Sequence, residues 1–156
     1  MVLRKFESYQ RIRPLQDDTL DRILYVEDED ANWNVTELHL RGKYAIKRAR
    51  NSRETFDLLR KENFDIILLD IQLADSEFDG IEICKIIKHR PGQLIPLSAK
   101  DIDCTAVPVV FVTAYAERYT KEMLLKAGGD DVITKPVDFT RLRLVSSRLL
   151  VKSLLR

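Results

Sequence analysis

The stretch Ile66-Ile67-Leu68-Leu69-Asp70 does most to limit what this chain can fold into. Four aliphatic residues in succession suit a strand buried on both faces, as in a parallel sheet covered by helices. The run stops at a carboxylate. An acid at the C-terminal end of such a strand lies where open α/β sheets place their ligand sites. A single Asp there is also an ordinary turn residue, so the other strand ends have to decide.

Three other apolar runs end in chemistry. Arg22 to Val26 leads into Glu27-Asp28-Glu29-Asp30, four acids that repel one another unless they are solvated or share a cation. Val107 to Val112 leads into Thr113-Ala114, and Val132-Ile133-Thr134 leads into Lys135-Pro136. Tyr44 to Ala49 makes a fifth strand. Helical patterns fill the gaps. Residues 31–41 carry Trp33, Val35, Leu38 and Leu40, and Ser52 is placed to cap Arg53–Lys61, with Phe56, Leu58 and Leu59 on its apolar face. Ile81, Ile83, Cys84, Ile86 and Ile87 follow the break at Gly80. Glu117–Ala127 is closed by Gly128-Gly129, and Asp138 can cap a last helix to about Leu155.

Strand and helix alternate five times, which argues an α/β domain built on a parallel sheet. Residues 90–106, with Pro91, Gly92 and Pro96, show no period and read as a long loop inserted before the fourth strand, adding little to the core. Right-handed crossovers bring the C-terminal strand ends to one edge of the sheet. That edge then gathers Glu27, Asp28, Asp70, Thr113 and Lys135. Clustered carboxylates want a hard cation such as Mg²⁺. A carboxylate can also attack phosphorus to form an aspartyl-phosphate, and a cation, a hydroxyl and an ammonium would serve its three equatorial oxygens.

Composition removes other classes. At 156 residues the chain is about one domain, and with 45% hydrophobic and 33% charged residues it should be globular. A formal charge of +1 argues for neither nucleic acid nor membrane as partner. The longest apolar run, Val107–Ala116, is interrupted and too short to span a bilayer, and residues 1–21 read as an extension without a signal peptide. Two cysteines, Cys84 and Cys104, are too few for a disulfide framework, so a reduced cytoplasmic protein is expected. The basic window from Arg41 to Arg53 reads as a solvated face, and His39 and His89 as surface residues. The last helix carries one apolar stripe at Leu142, Val145 and Leu149 and a second at Leu144, Val151 and Leu155. The second stripe is more than one buried face requires and fits either core or a partner surface.

Taken together, Ile23–Glu29, Asp65–Asp70, Val109–Ala114 and Gly128–Pro136 resemble the receiver domain of two-component response regulators over about residues 22–150. That resemblance implies a flavodoxin-like, doubly wound five-stranded parallel sheet in the order 2-1-3-4-5 within residues 22–156. It implies a bacterial signalling protein in which Asp70 is the phosphoacceptor, served by Thr113 and Lys135. Mg²⁺ or Mn²⁺ would be held by Asp28, Asp70 and the backbone carbonyl of Gln72, with Glu27 acting through water. The Lys135–Pro136 bond would be cis. Gln72, Ala114 and Tyr115 would tune the lifetime of the phosphorylated state. The implied partners are a histidine kinase or phosphotransfer protein and a downstream protein target, with self-association through the fourth and fifth helices. Such a chain is a stand-alone phosphoacceptor that catalyses its own phosphoryl transfer and slow dephosphorylation, and is not otherwise an enzyme.

Three features depart from the family pattern. Gly80 comes about two residues late and lacks the accompanying proline, the 90–106 loop is long, and Val132 stands where an aromatic residue commonly turns inward. Two other classes compete: a pseudo-receiver that binds partners without phosphorylation, and a phosphatase of the haloacid dehalogenase type. The second wants an Asp two residues after its nucleophile, where this chain has Gln72.

Overall fold

The computed structural model describes residues 20–155. Five strands form one parallel sheet: β1 (Asp21–Val26), β2 (Tyr44–Ala49), β3 (Ile66–Asp70), β4 (Val109–Thr113) and β5 (Asp131–Thr134). Their order is β2-β1-β3-β4-β5, the doubly wound, flavodoxin-like order that the resemblance implied. The helices are α1 (Asp30–Leu40), α2 (Ser52–Lys61), α3 (Gly80–Ile87), α4 (Lys121–Lys126) and α5 (Phe139–Leu154). The expected extension, residues 1–21, lies outside the described residues except at its end, where Asp21 already belongs to β1.

Alternation along each strand builds two cores. Leu24, Val26, Ile67, Leu69, Val109 and Phe111 face one side, covered by Phe56, Ile83, Ile87 and Leu124 of α2, α3 and α4. Ile23, Tyr25, Ile66, Leu68, Val110 and Val112 face the other, covered by Leu40 of α1 and by Leu142, Val145 and Leu149 of α5. Each buried aliphatic side chain contributes about 1.5–3 kcal/mol relative to exposure. β3 lies at the centre with every residue buried, which is why it reads as an unbroken apolar run.

Several local expectations need correction. Asn51, not Ser52, caps α2 and accepts from the Glu54 N–H at 2.9 Å. Ser52 is buried instead, and its N–H donates to Ser76 Oγ at 2.9 Å. The fourth helix does not start at Glu117. Ala116–Arg118 forms a single 3₁₀ turn, and the Thr120 hydroxyl caps α4 by accepting from the Met123 N–H. The 90–106 loop is no simple excursion, because Ala99, Ile102 and Cys104 are buried in the first core while Leu94 and Leu97 are exposed. His89, itself exposed and at positive φ, has Nε2 2.6 Å from the Ile102 carbonyl oxygen at the base of that loop. His39 is exposed as expected and stacks on Phe139. The second stripe of α5 faces outward: Leu144, Val151 and Leu155 are exposed. Both cysteines are free and buried, and burial pushes the Cys84 thiol up to about 12. Among the described residues no helix is long and apolar enough to cross a membrane.

Candidate functional site

The C-terminal strand ends meet at a cleft of ≈ 890 Å³ lined by Asp28, Asp70, Gln72, Tyr115 and Lys135, among others. Parallel register places them there: Val26 pairs with Leu69, Asp70 with Val112, and Thr113 with Thr134. Glu27 and Asp28 follow β1, Asp70 and Thr113 close β3 and β4, and Lys135 follows β5. The Lys135 ammonium donates to Glu27 Oε2 at 2.7 Å and to Asp70 Oδ2 at 3.1 Å. The Lys135–Pro136 bond is cis. Thr113 is buried, and its Oγ1 accepts from the Tyr115 N–H at 3.0 Å.

Glu27 is fully buried and engaged by three donors. Its Oε1 accepts from the Glu29 N–H at 3.0 Å, and its Oε2 accepts from the Tyr25 hydroxyl at 2.9 Å as well as from Lys135. Burial, then the Glu27 carboxylate, holds the Tyr25 hydroxyl protonated far above its ordinary range. Asp28 is less buried, and its Oδ2 accepts from the Ala74 N–H at 3.0 Å.

Arg48, on β2, was missed in the sequence. Its Nε donates to the Glu27 carbonyl at 2.8 Å, its Nη2 to the Asp28 carbonyl at 2.9 Å, and its Nη1 to Asp30 at 2.6 Å. One planar guanidinium thus fixes the backbone that carries both acids. Within the basic window it looked like any solvated cation, yet its side chain is 11% exposed. The available signal was its position next to the end of β2, where the register sets it beside Tyr25.

Gly80 supports the cleft from behind. A Cβ on it would lie 2.0 Å from the Asp70 carbonyl oxygen, so only glycine lets α3 start against this strand end. Asp79 completes a capping box with Glu82, and the lengthened loop is tied through Ser76 to Ser52. Gln72 and Ala114 are exposed at the cleft, and Tyr115 is 38% exposed with the Arg118 guanidinium over its ring at 4.3 Å. Val132 packs against the first core at the position of the missing aromatic residue.

Electrostatics set the character of the site. Burial pushes the Asp70 carboxyl up to about 6, against the pull of Lys135 and with the repulsion of Glu27 and Asp28 added. Burial opposes the charge on Lys135, but Glu27 and Asp70 more than offset it and raise its pKa. Glu27, Asp28 and Asp70 each offer an oxygen, and the three lie within 4.8 Å of one another. Three convergent carboxylates with one ammonium leave excess negative charge, so the donor set fits a hard divalent cation. With such charge neutralised, an Asp70 oxygen is free to act as a nucleophile toward phosphorus.

Comparison with known proteins gives a consistent picture. A family model for the response regulator receiver domain matches residues 23–146. The response regulator protein PilR of Pseudomonas aeruginosa is 35% identical over 134 residues, 85% of this chain and 27% of that protein. The transcriptional regulatory protein ZraR of Klebsiella oxytoca is 34% identical, with 82% of this chain and 26% of that protein covered. The chain therefore spans about a quarter of the length of these two relatives. The polar-differentiation response regulator DivK of Brucella anthropi is 32% identical over 120 residues, 76% of this chain and 87% of that protein. Among solved structures, the receiver domain of a sensor histidine kinase from Pseudomonas aeruginosa, with a magnesium ion in its active-site cleft, has a TM-score of 0.68 at 25% identity, covering 85% of this chain and 98% of that one.

Proposed function

The chain belongs to the response regulator receiver domain family of two-component systems, and from that premise we propose that it accepts a phosphoryl group on Asp70 and signals the change through protein contacts. The observation that carries this reading is the Lys135 ammonium held between Asp70 and Glu27 at a shared strand edge. An Asp70 oxygen attacks phosphorus in line with the leaving group. The O–P bond forms as the bond to a phosphohistidine nitrogen breaks, and the imidazole leaves with the bonding pair. Lys135 turns toward one phosphoryl oxygen, and the Thr113 hydroxyl donates to another.

The acidic pocket of Glu27, Asp28 and Asp70 fits Mg²⁺ or Mn²⁺, and by the family resemblance Asp28, Asp70 and the Gln72 carbonyl would hold it, with Glu27 acting through water. When bound there, the cation would supply charge neutralisation for the phosphoryl oxygens. The three donors already on Glu27 support a role through water rather than by direct ligation. A histidine kinase or phosphotransfer protein supplies the group, and a downstream protein reads it. Exposed Met123 and Leu125 on α4, with Leu144 and Val151 on α5, support a contact surface there for that protein or for a second copy.

Incubation with acetyl phosphate and Mg²⁺, followed by intact-mass measurement, tests this. The wild type should gain one phosphoryl group and Asp70→Asn none. An equal gain in both would remove Asp70 from its role.

A further inference from the structure

Tyr25 is an unusual residue to find beneath a carboxylate cluster. Its ring is buried in the second core, among apolar side chains of the sheet and α5, yet its hydroxyl emerges at the site. There it donates to Glu27 Oε2 at 2.9 Å. The same Glu27 oxygen accepts from Lys135 at 2.7 Å, and Lys135 also reaches Asp70 at 3.1 Å. A chain of hydrogen bonds thus runs from Tyr25 through Glu27 and Lys135 to Asp70.

The length of Glu27 makes this chain necessary. A glutamate side chain is one methylene longer than aspartate and has more ways to turn. Unrestrained, it can extend into the cleft and hold the ammonium for itself. The Glu29 N–H and the Tyr25 hydroxyl tie it back from two sides. Because the hydroxyl is a neutral donor on the oxygen that Lys135 uses, it also satisfies part of that oxygen's demand. The ammonium is then shared with Asp70 instead of captured.

We infer that Tyr25 is a positioning residue: its hydroxyl holds Glu27 folded beneath the site, so that Lys135 and the cation position are divided between Glu27 and Asp70. This rests on the phosphoacceptor reading above. Hydrogen bonds that orient a metal-binding group typically change affinity or activity about 10–100-fold when removed.

The test is a double-mutant cycle of Tyr25→Phe against Glu27→Asp. Phenylalanine keeps the ring and its packing, and aspartate withdraws the carboxylate by one methylene from the hydroxyl. Mg²⁺ affinity is measured by calorimetry on the unphosphorylated chain, and the labelling rate is measured with acetyl phosphate. In the Glu27 chain, Tyr25→Phe should weaken Mg²⁺ binding and slow labelling by about tenfold, the lower end expected for an orienting hydrogen bond. In the Glu27→Asp chain the same substitution should change both by less than about twofold, because the contact is already gone. A purely structural role would cost the same in both backgrounds. Equal losses, or no loss in the Glu27 chain, would overturn the inference. If the wild type takes no phosphoryl group while Mg²⁺ affinity still shows the coupling, the proposed function fails and the positioning role stands. A wild type that takes neither Mg²⁺ nor a phosphoryl group would overturn both.

Discussion

The two walls of the cleft are built differently. The β1–α1 connection is three residues long, Glu27 to Glu29, and apart from the Glu29 N–H on Glu27 its hydrogen bonds among the described residues reach outside the segment. Arg48 takes two of its carbonyls, the Glu27 N–H donates to the Ala49 carbonyl at 2.9 Å, and Ala74 donates to Asp28. The β4–α4 connection, Ala114 to Thr120, is twice as long or more and largely exposed. Its hydrogen bonds among the described residues run within the segment, to the adjacent Thr113 or to the helix that follows: Tyr115 N–H to Thr113, Arg118 N–H to Tyr115, Tyr119 N–H to Ala116, and the Met123 and Leu124 N–H groups to Thr120. The helix it leads to is six residues long. Few external contacts mean a low cost of rearrangement. The wall that would hold a cation is fixed in advance, and the wall that would sense the phosphoryl group is free to move.

The largest effect that would sharpen this contrast is electrostatic. Burial first, then repulsion from Glu27 and Asp28 of the acidic wall, raises the Asp70 carboxyl to about 6 from an unfolded value of 3.8, against the pull of Lys135. A raised acid favours the folded state below its unfolded pKa and loses that advantage as pH rises through the folded one. A shift of two pKa units is worth about 3 kcal/mol. In Mg²⁺-free buffer, Asp70→Asn should therefore be more stable than wild type by up to about 3 kcal/mol at pH 8. The gain should shrink through pH 6 and be nearly gone at pH 4. Urea unfolding at several pH values measures this, and saturating Mg²⁺ should close the gap at pH 8. A gain that is the same at every pH would show that the site does not oppose the charge on Asp70.

Arg48→Ala attacks the fixed wall more locally. It leaves the Glu27 and Asp28 carbonyls without their donor and leaves Asp30 paired with Arg50 alone. Mg²⁺ affinity should fall about tenfold or more, as it does when groups orienting a metal ligand are lost. Arg48→Lys should not restore it, because one ammonium cannot reach two carbonyls and a carboxylate in a plane. Glu117→Ala, a change at an exposed residue of the mobile wall, should leave the affinity within about twofold. Equal losses from both walls would break the contrast.

The same contrast explains what could be read from the sequence. Asp70, Thr113 and Lys135 close aliphatic runs, and strand periodicity brings such ends to one edge whatever the intervening helices do. The five-unit alternation and the strand order follow from the same runs together with the family resemblance. Arg48 was illegible because its value lies in three acceptors that become neighbours only after β2 pairs with β1. The start of α4 was misplaced because Glu117, Arg118 and Lys121 are good helix formers, and the capping hydroxyl of Thr120 overrode them. Ala99, Ile102 and Cys104 are buried without a period, and burial of that kind leaves no pattern to read.

The smallest expected effect bears on the mobile wall and on how long a phosphorylated state would last. Gln72 and Tyr115 both line the cleft with Asp70, and we propose that they flank the approach of an attacking water. Gln72 can orient a water, whereas the Tyr115 ring can fill its place. The Tyr115 N–H is anchored on Thr113 and its ring is covered by Arg118, so the ring is not free to swing at random. Engagement of Thr113 by a phosphoryl oxygen would move the very residue that anchors Tyr115, drawing the ring over the acyl-phosphate. Tyr115→Glu removes the ring, supplies a carboxylate to orient water, and gives Arg118 a new partner. Each tenfold change in rate corresponds to about 1.4 kcal/mol of barrier, so one displaced water amounts to a few-fold to tenfold change. Loss of phosphate at saturating Mg²⁺ should accordingly be about three- to tenfold faster in Tyr115→Glu than in wild type. Slower loss in the variant would refute the shielding. An unchanged rate together with altered partner binding would assign Tyr115 to the outer contact surface, and the mobile wall would then sense the phosphoryl group without governing its lifetime.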